Sequence, residues 1–381
     1  MDPSIPRIIW YVFVAAAGVQ VCYYLFFFSR LAFYRMRVPE DDASGDPEVS
    51  VIICAKDENR SLERNLPVIL QQHYQDAGHH AHYEVLVVND NSEDETIYTL
   101  QHLSPGYPHF RFIDLTQSAK GIPGKKYPLT IGIRSASFEY LVLTDADCRP
   151  AGTRWLSHMA AGFRDGKEIV LGYGAYEPRP GLLNKVIRFE TFFSALQYLS
   201  FALAGLPYMG VGRNLAYRKE LFFRHKGFLS HHNLPSGDDD LFVNAAATRH
   251  NTRVVVHPEA LTYSIPKTGW GEWYRQKTRH MSTGKHYKFR HTLLLGLFSL
   301  SQGCYYPFFI AALFFAPALR IPTLILFACR LLLQLICWPL SLKKLNEKGL
   351  FWYCLVFDLF LWLYYLLFAS AVIRKPKLRW N

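Results

Sequence analysis

The sequence predicts an α/β protein: a doubly wound sheet, each strand followed by a helix, held between membrane-spanning helices. Three observations carry this. Apolar runs long enough to cross a bilayer as helices lie towards both ends of the 381 residues, at 8–28, 293–316, 321–340 and 350–373. Between them, short aliphatic and β-branched runs alternate with stretches whose apolar residues recur at helical spacing. Three of the short runs finish in acidic or polar residues, Asp57-Glu58, Asp90-Asn91 and Asp145-Ala146-Asp147.

Composition agrees. Half of the residues are hydrophobic and 19% are charged, against about 25% charged in an average soluble chain. This excludes a disordered chain, a collagen and a charged coiled coil, and does not suit a wholly soluble enzyme. The net charge of +11 is compatible with nucleic acid, anionic lipid or phosphorylated substrates. Position separates these. Arg30, Arg35 and Arg37, Lys285, Lys288 and Arg290, Lys343, Lys344 and Lys348, and Arg374, Lys375, Lys377 and Arg379 all sit beside apolar runs. That is membrane flanking, not a nucleic-acid stripe. The seven cysteines include no CxxC pair, so neither a zinc site nor a disulfide framework is expected.

In chain order, residues 1–37 read as an uncleaved transmembrane anchor. The run at 8–28 is broken only by Gln20 and ends in three phenylalanines, and the arginines that follow place the next segment in the cytoplasm. Residues 38–291 form the cytoplasmic domain. Strands are expected at 49–54, 83–88 and 141–143, with helices at 59–72 and 93–103. Sheets of this kind bind ligands at the carboxyl ends of their strands, so the three acidic ends should gather on one edge. Residues 181–205 start amphipathic, with Lys185, Arg188 and Glu190, and become almost wholly apolar. Of the two readings, a core helix and an interfacial helix that seats the site on the bilayer, we expect the second. Residues 292–381 hold two or three spans. Arg330 and Asp358 lie at membrane depth and are expected to pair. Three spans would leave the basic tail outside, and one re-entrant segment would return it inside.

There is no GxGxxG after the first strand, no GxxxxGK[ST] and no GxSxG. This counts against a dinucleotide-dependent dehydrogenase, a P-loop NTPase and an α/β-hydrolase. Asp145-Ala146-Asp147 puts two carboxylates at a strand end, where they can share a hard divalent cation. On its own such a pair is often a solvated turn. Gly121-Ile122-Pro123-Gly124-Lys125-Lys126 offers free backbone and positive charge to a phosphate, or is an exposed basic turn. Asp238-Asp239-Asp240 either caps the following helix or supplies a general base. Gln276 and Arg279 share a helix face behind Trp270 and Trp273, in what is otherwise a juxtamembrane basic helix. The pairs His80/His82 (with His79) and His231/His232 read as solvated loops.

Taken together, these segments resemble glycosyltransferase family 2. Ser50-Val51-Ile52-Ile53-Cys54-Ala55-Lys56-Asp57-Glu58 is similar to its opening strand, and Asn89-Asp90-Asn91-Ser92-Glu93-Asp94 to the turn after its second. Gly124-Lys125 resembles its Gly-Lys loop, Asp145-Ala146-Asp147 its metal-binding DxD, Asp238-Asp239 its Glu-Asp pair, and Gln276 to Arg279 its QxxRW motif. The six occur in the family's order over roughly residues 49–280, and the flanking spans resemble those of membrane-bound bacterial members. One position departs from the pattern: the tryptophan of QxxRW is His280. With so few spans, this argues for transfer of one or a few sugars over processive synthesis.

The resemblance implies a GT-A fold, a Rossmann-like mixed sheet, and a nucleotide-diphosphate sugar donor. Ala55, Glu58 and Asp90 would hold the base and ribose, and Lys125 the diphosphate. Asp145 and Asp147 would hold Mg²⁺ or Mn²⁺. Asp239, with Asp238 beside it, would be the general base. Gln276 and Arg279 would line the acceptor side and steady the leaving diphosphate, and Gly212, Arg213 and Asn214 would line the acceptor pocket. The expected protein is an inverting glycosyltransferase of the bacterial inner membrane with its catalytic domain in the cytoplasm. Its acceptor would be lipid-linked or a membrane-proximal glycan, and nucleic acid is not an expected partner. Two other readings stay open: a membrane scaffold or transport protein with an inactive transferase-like domain, and a nucleotidyl- or phosphotransferase using the same metal logic.

Overall fold

A computed structural model describes residues 4–36, 46–75, 80–117 and 121–373. Arg37, His79 and the basic residues Arg374, Lys375, Lys377 and Arg379 lie outside these. Ten strands are described: β1 Val49–Ala55, β2 Tyr83–Asp90, β3 Phe110–Leu115, β4 Tyr140–Asp145, β5 Cys148–Pro150, β6 Ile169–Leu171, β7 Gly174–Tyr176, β8 Leu215–Arg218, β9 Thr252–Val254 and β10 Thr262–Ser264.

The aliphatic runs form the buried centre of the main sheet, because helices cover both faces. Its order is β3-β2-β1-β4-β8-β6-β9. The strands β1 to β4 pair in parallel through the helices Asn59–Leu70, Thr96–Leu103 and Lys126–Ser135. The doubly wound pattern ends there: β8 runs antiparallel to both β4 and β6, so the sheet is mixed. Strand β1 pairs with β2 on one side and β4 on the other, with Ala55 beside Asn89 and Cys54 beside Asp145. The three acidic strand ends therefore share one edge, at the point where the strand order reverses, which is where such sheets bind ligands. A second sheet, β5-β10-β7, lies against this edge.

Three helices are long and apolar enough to cross a membrane: Ser4–Phe33, Phe289–Phe315 and Pro317–Lys344. A further pair, Phe351–Leu359 and Leu361–Phe368, meets at 61° and makes a fourth only if counted as one broken span. The helices and the sheet share one continuous core, in which Tyr23 and Phe28 pack with Phe193, Leu215, Phe298 and Trp338. The segment expected at the membrane interface is the helix Leu182–Leu203, and it lies inside this core. Fourteen of its 22 residues are buried, Ile187 and Phe192 among them. Arg188 reaches Glu347 at 2.7 Å, and Tyr173 bonds the same carboxylate, tying the loop before Phe351 to the sheet. The apolar stretch thus finds its partner in protein on both sides.

Arg330 and Asp358 do pair, at 2.9 Å, with both side chains almost fully buried. Gln302 and Tyr306 donate to the carboxylate, and the guanidinium lies over the rings of Tyr24, Tyr305 and Tyr306 at 5.1–5.8 Å. Breaking a buried pair from one side leaves an uncompensated charge, at a cost of about 3–5 kcal/mol. Arg330→Met is therefore expected to destabilise the helical region by about that much, and Arg330→Met with Asp358→Leu by clearly less. Thermal and denaturant unfolding in detergent micelles would measure both.

Candidate active site

The loops that follow β1 and β2 are laced together. Asp57 and Asn91 both take left-handed backbone, at φ 55° and 53°, which short polar side chains tolerate. The Asp57 carboxylate accepts the Glu93 N–H at 2.7 Å, and the Ser92 hydroxyl accepts the Asp57 N–H at 2.9 Å. Ala55 is fully buried beneath them. Asp90, at the end of β2, is buried with Oδ1 unpartnered among the described residues, and burial raises its pKa. Burial also raises the Glu58 carboxyl, against a hydrogen bond from Ser61, and Asp147 and Asp145 add repulsion.

In that turn, Asp147 Oδ2 accepts from Ser264 of β10 at 2.9 Å, and Oδ1 faces the Cys148 thiol at 3.4 Å. Burial and the neighbouring Asp145 push the Asp147 carboxyl upward. Ligand atoms of Asp145, Asp147 and Cys148 lie within 4.8 Å of one another. Two converging carboxylates that repel each other in a half-dry turn are what a divalent cation neutralises, so the donor set fits Mg²⁺ or Mn²⁺ through oxygen. The thiol is held far above its usual range by burial and then by Asp147, which disfavours the thiolate a metal needs.

Lys125 links this turn to the triple aspartate. Its Nζ lies 2.7 Å from Asp145 and 3.2 Å from Asp238. Gly124 has φ 76°, and a Cβ there would stand 2.7 Å from the Pro235 carbonyl, so only glycine allows this approach. Lys126 does not face the cavity. It is buried and donates to the Leu234 and Ser236 carbonyls at 2.6 and 2.7 Å, holding the loop that carries the aspartates.

The three aspartates diverge. Asp240 turns away to accept from Thr283 and from Tyr287 at 2.7 Å. Asp238 and Asp239 line the cavity with Ile52, Cys54, Lys125 and Gly212. Burial raises Asp238, but Lys125 and Lys126 outweigh it and hold the group below the usual range. Asp239 goes the other way, pushed up to about 7 by burial and then by Asp238 and Asp240. Its Oδ2 accepts the Gly212 N–H at 2.7 Å and its Oδ1 the Asp240 N–H at 2.7 Å, fixing the carboxylate at the cavity wall.

Comparisons with known proteins bear on this arrangement. The profile described as glycosyl transferase family 2 matches residues 50–224, and that of glycosyl transferase family group 2 matches residues 141–372, more than half of the chain. The chain belongs to glycosyltransferase family 2. It is 22% identical over 287 residues to the probable glycosyltransferase YdaM of Bacillus subtilis, covering 71% of this chain and 64% of that one. It is 24% identical over 136 residues to the poly-beta-1,6-N-acetyl-D-glucosamine synthase of Staphylococcus epidermidis, covering 36% of this chain and 30% of that one. The alignments thus span less than two thirds of either relative's length. In fold it is similar to the mannosyltransferase PcManGT of Pyrobaculum calidifontis, solved in complex with GDP-Man and Mn²⁺. The TM-score is 0.57 and the identity 20%, over 90% of this chain and 99% of that one. The fold is GT-A.

Not every residue expected from the family motifs reaches the cavity. Gly212 does, through its N–H. Arg213 stacks on the Tyr176 ring at 4.3 Å, and Tyr176 pairs with Ser264, which holds Asp147, so Arg213 lies on the DxD side of the site. Asn214, expected at the acceptor pocket, is fully buried. It donates to the carbonyls of Tyr173 and Ala260 and accepts from the Trp155 indole, so no polar atom is left for a ligand. Gln276 and Arg279 lie on the helix Trp270–Met281. Among the described residues, no hydrogen bond or ion pair joins either side chain to the carboxylates. His280, near the end of that helix, is exposed. Family motifs also passed over Ser264, which holds Asp147. No motif names it, and only the pairing of β10 with β5 brings it there. His231, read as part of a solvated loop, is buried beneath the Asp238 loop.

Proposed function

We propose that this protein is a membrane-bound, inverting glycosyltransferase that moves a sugar from a nucleotide-diphosphate sugar to a hydroxyl of a lipid-linked or membrane-proximal acceptor. The observation that carries the reading is the meeting of Asp145, Lys125, Asp238 and Asp239 in one cavity at the carboxyl edge of the sheet, with Asp147 held in the adjoining turn. Asp90, with a buried oxygen free to accept, and Glu58 receive the base and ribose above Ala55. Asp145 and Asp147 would hold Mg²⁺ or Mn²⁺. When bound, the ion supplies positive charge against the leaving diphosphate. Lys125, already between the two acidic loops, shifts its Nζ from carboxylate to phosphate oxygen and adds to that charge. Asp239 takes the proton of the acceptor hydroxyl as its oxygen bonds the anomeric carbon and the bond to the diphosphate breaks. With a single base and no covalent intermediate, configuration inverts.

The structure similar in fold contains GDP-Man and Mn²⁺, which supports a nucleotide-diphosphate sugar and a divalent ion here. Candidate spans on both sides of the sheet support a membrane setting, which we assign to the bacterial inner membrane with the catalytic domain in the cytoplasm. We divide the chain as an anchor in residues 1–37, the catalytic domain in 38–291 and two or three spans in 292–381. Nucleotide sugars are soluble, so tethering serves the acceptor, whose effective concentration rises in two dimensions. Gln276 and Arg279, beside exposed Trp270, border its path.

A base works only when ionised. With Asp239 raised to about 7, kcat/KM is expected to fall about tenfold per pH unit below that value and to level off above it. A pH–rate profile on the free enzyme would show this limb. A panel of nucleotide sugars incubated with purified protein and Mn²⁺ tests the function itself. Release of nucleoside diphosphate from at least one donor supports transfer. Cleavage only of nucleoside triphosphates would favour a nucleotidyl- or phosphotransferase, and no turnover of any donor would favour an inactive domain.

A further inference from the structure

A second group of ligating side chains lies outside the active site. His158 projects from the helix Trp155–Ala161, and His257 and Glu259 flank the start of the short turn Pro258–Ala260. One ligand atom from each lies within 4.8 Å of the other two. The two imidazole rings are 4.1 Å apart, centre to centre.

His158 is the telling member. Its side chain is 4% exposed, yet among the described residues its Nε2 has no hydrogen-bond partner, and a carboxylate oxygen of Glu259 stands 3.7 Å away. That is beyond a hydrogen bond, and a buried polar atom left unpaired is costly. A cation between the two satisfies both. Competing for His257 is one long hydrogen bond, 3.3 Å, from the Glu259 N–H to its Nδ1, which a metal at that nitrogen would replace. The Glu259 side chain lies against Gly152, where a Cβ would come within 3.0 Å of it, so its approach is set by backbone. Arg154 also acts on both histidines and opposes a cation. Glu259 supplies the compensating negative charge.

We propose that His158, His257 and Glu259 form a second cation site, of the two-nitrogen, one-carboxylate kind that takes Zn²⁺, which clamps the helix Trp155–Ala161 to the turn leading into β10. The chemistry separates it from the DxD turn, whose oxygen donors suit Mg²⁺ or Mn²⁺. Its place gives it a consequence. β10 follows the turn directly, pairs with β5 and carries Ser264, which holds Asp147. A clamp here steadies the strand that orients the catalytic carboxylate.

The test uses the full chain in detergent, stripped with a chelator and then dialysed against Zn²⁺ alone. Bound metal and the thermal midpoint are read for the wild type, Asp147→Asn, His257→Ala and Glu259→Gln. The last replaces a half-exposed residue with a near-isostere, so it keeps the fold. The expected result is one Zn²⁺ per chain that survives Asp147→Asn, is lost in His257→Ala and is held at least tenfold more weakly in Glu259→Gln. The midpoint should rise with Zn²⁺ only where Zn²⁺ binds. Equal Zn²⁺ in the wild type and His257→Ala would mean adventitious binding by surface histidines such as His80 and His232 and would overturn the proposal. So would no bound Zn²⁺ in the wild type.

Discussion

Asp239→Asn is expected to lower kcat by about 10²–10⁴-fold while leaving donor affinity within a few-fold. Asparagine keeps the shape, and its carbonyl oxygen can still accept the Gly212 N–H that now fixes Oδ2 at 2.7 Å, at the loss of the bond from the Asp240 N–H to Oδ1. What it cannot do is take a proton. A change confined to kcat marks a group acting in the transition state and not in ground-state binding. The structure sharpens the choice among three adjacent carboxylates. Asp240 is committed to Thr283 and Tyr287, and Asp238 to Lys125. Asp238→Asn is therefore expected to disturb donor binding through Lys125 as well as rate. Single-turnover kinetics beside nucleotide titrations would separate the two. If Asp238→Asn abolishes turnover with donor binding intact and Asp239→Asn does not, the base is the neighbour.

The second large effect belongs to the DxD turn. Asp147→Asn is expected to weaken divalent-dependent binding of a nucleoside diphosphate by about 100-fold or more, with the domain still folded. Even partners one shell removed from a metal typically cost about 10–100-fold. Because burial and Asp145 already push the Asp147 carboxyl upward, neutralising it removes repulsion in the metal-free protein. The variant's unfolding midpoint without metal should hold or rise. Calorimetry with and without Mn²⁺ would read both changes. Unchanged Mn²⁺-dependent binding would remove Asp147 from the metal site.

Strands β1, β2 and β4 were legible because they are largely aliphatic runs, buried for most of their length, that lead into carboxylates; β3, β6, β8 and β9, and the antiparallel turn of the sheet at β8, were not. The pairing of Arg330 with Asp358 was legible for a related reason: two charges in apolar helices have few partners but each other. Apolarity alone did not say what would cover it. Residues 182–203 are apolar enough for lipid, but the structure surrounds most of them with the sheet and the C-terminal helices. Asn214 shows the limit of motif reading, since a polar residue next to a site can be bracing backbone and not facing substrate. His158 and His257 carry no local pattern. Only the fold, by laying the turn before β10 on the helix after β5, sets their rings 4.1 Å apart.

The most direct test of the central claim is transfer of labelled sugar. Purified protein with native membrane lipids and Mn²⁺ would be incubated with labelled nucleotide sugars, and the lipid extract counted. The account predicts Mn²⁺-dependent label in the lipid fraction from at least one donor, with release of nucleoside diphosphate, and loss of both in Asp239→Asn. Absence of label from the lipid fraction with every donor, or equal labelling by Asp239→Asn, would contradict it.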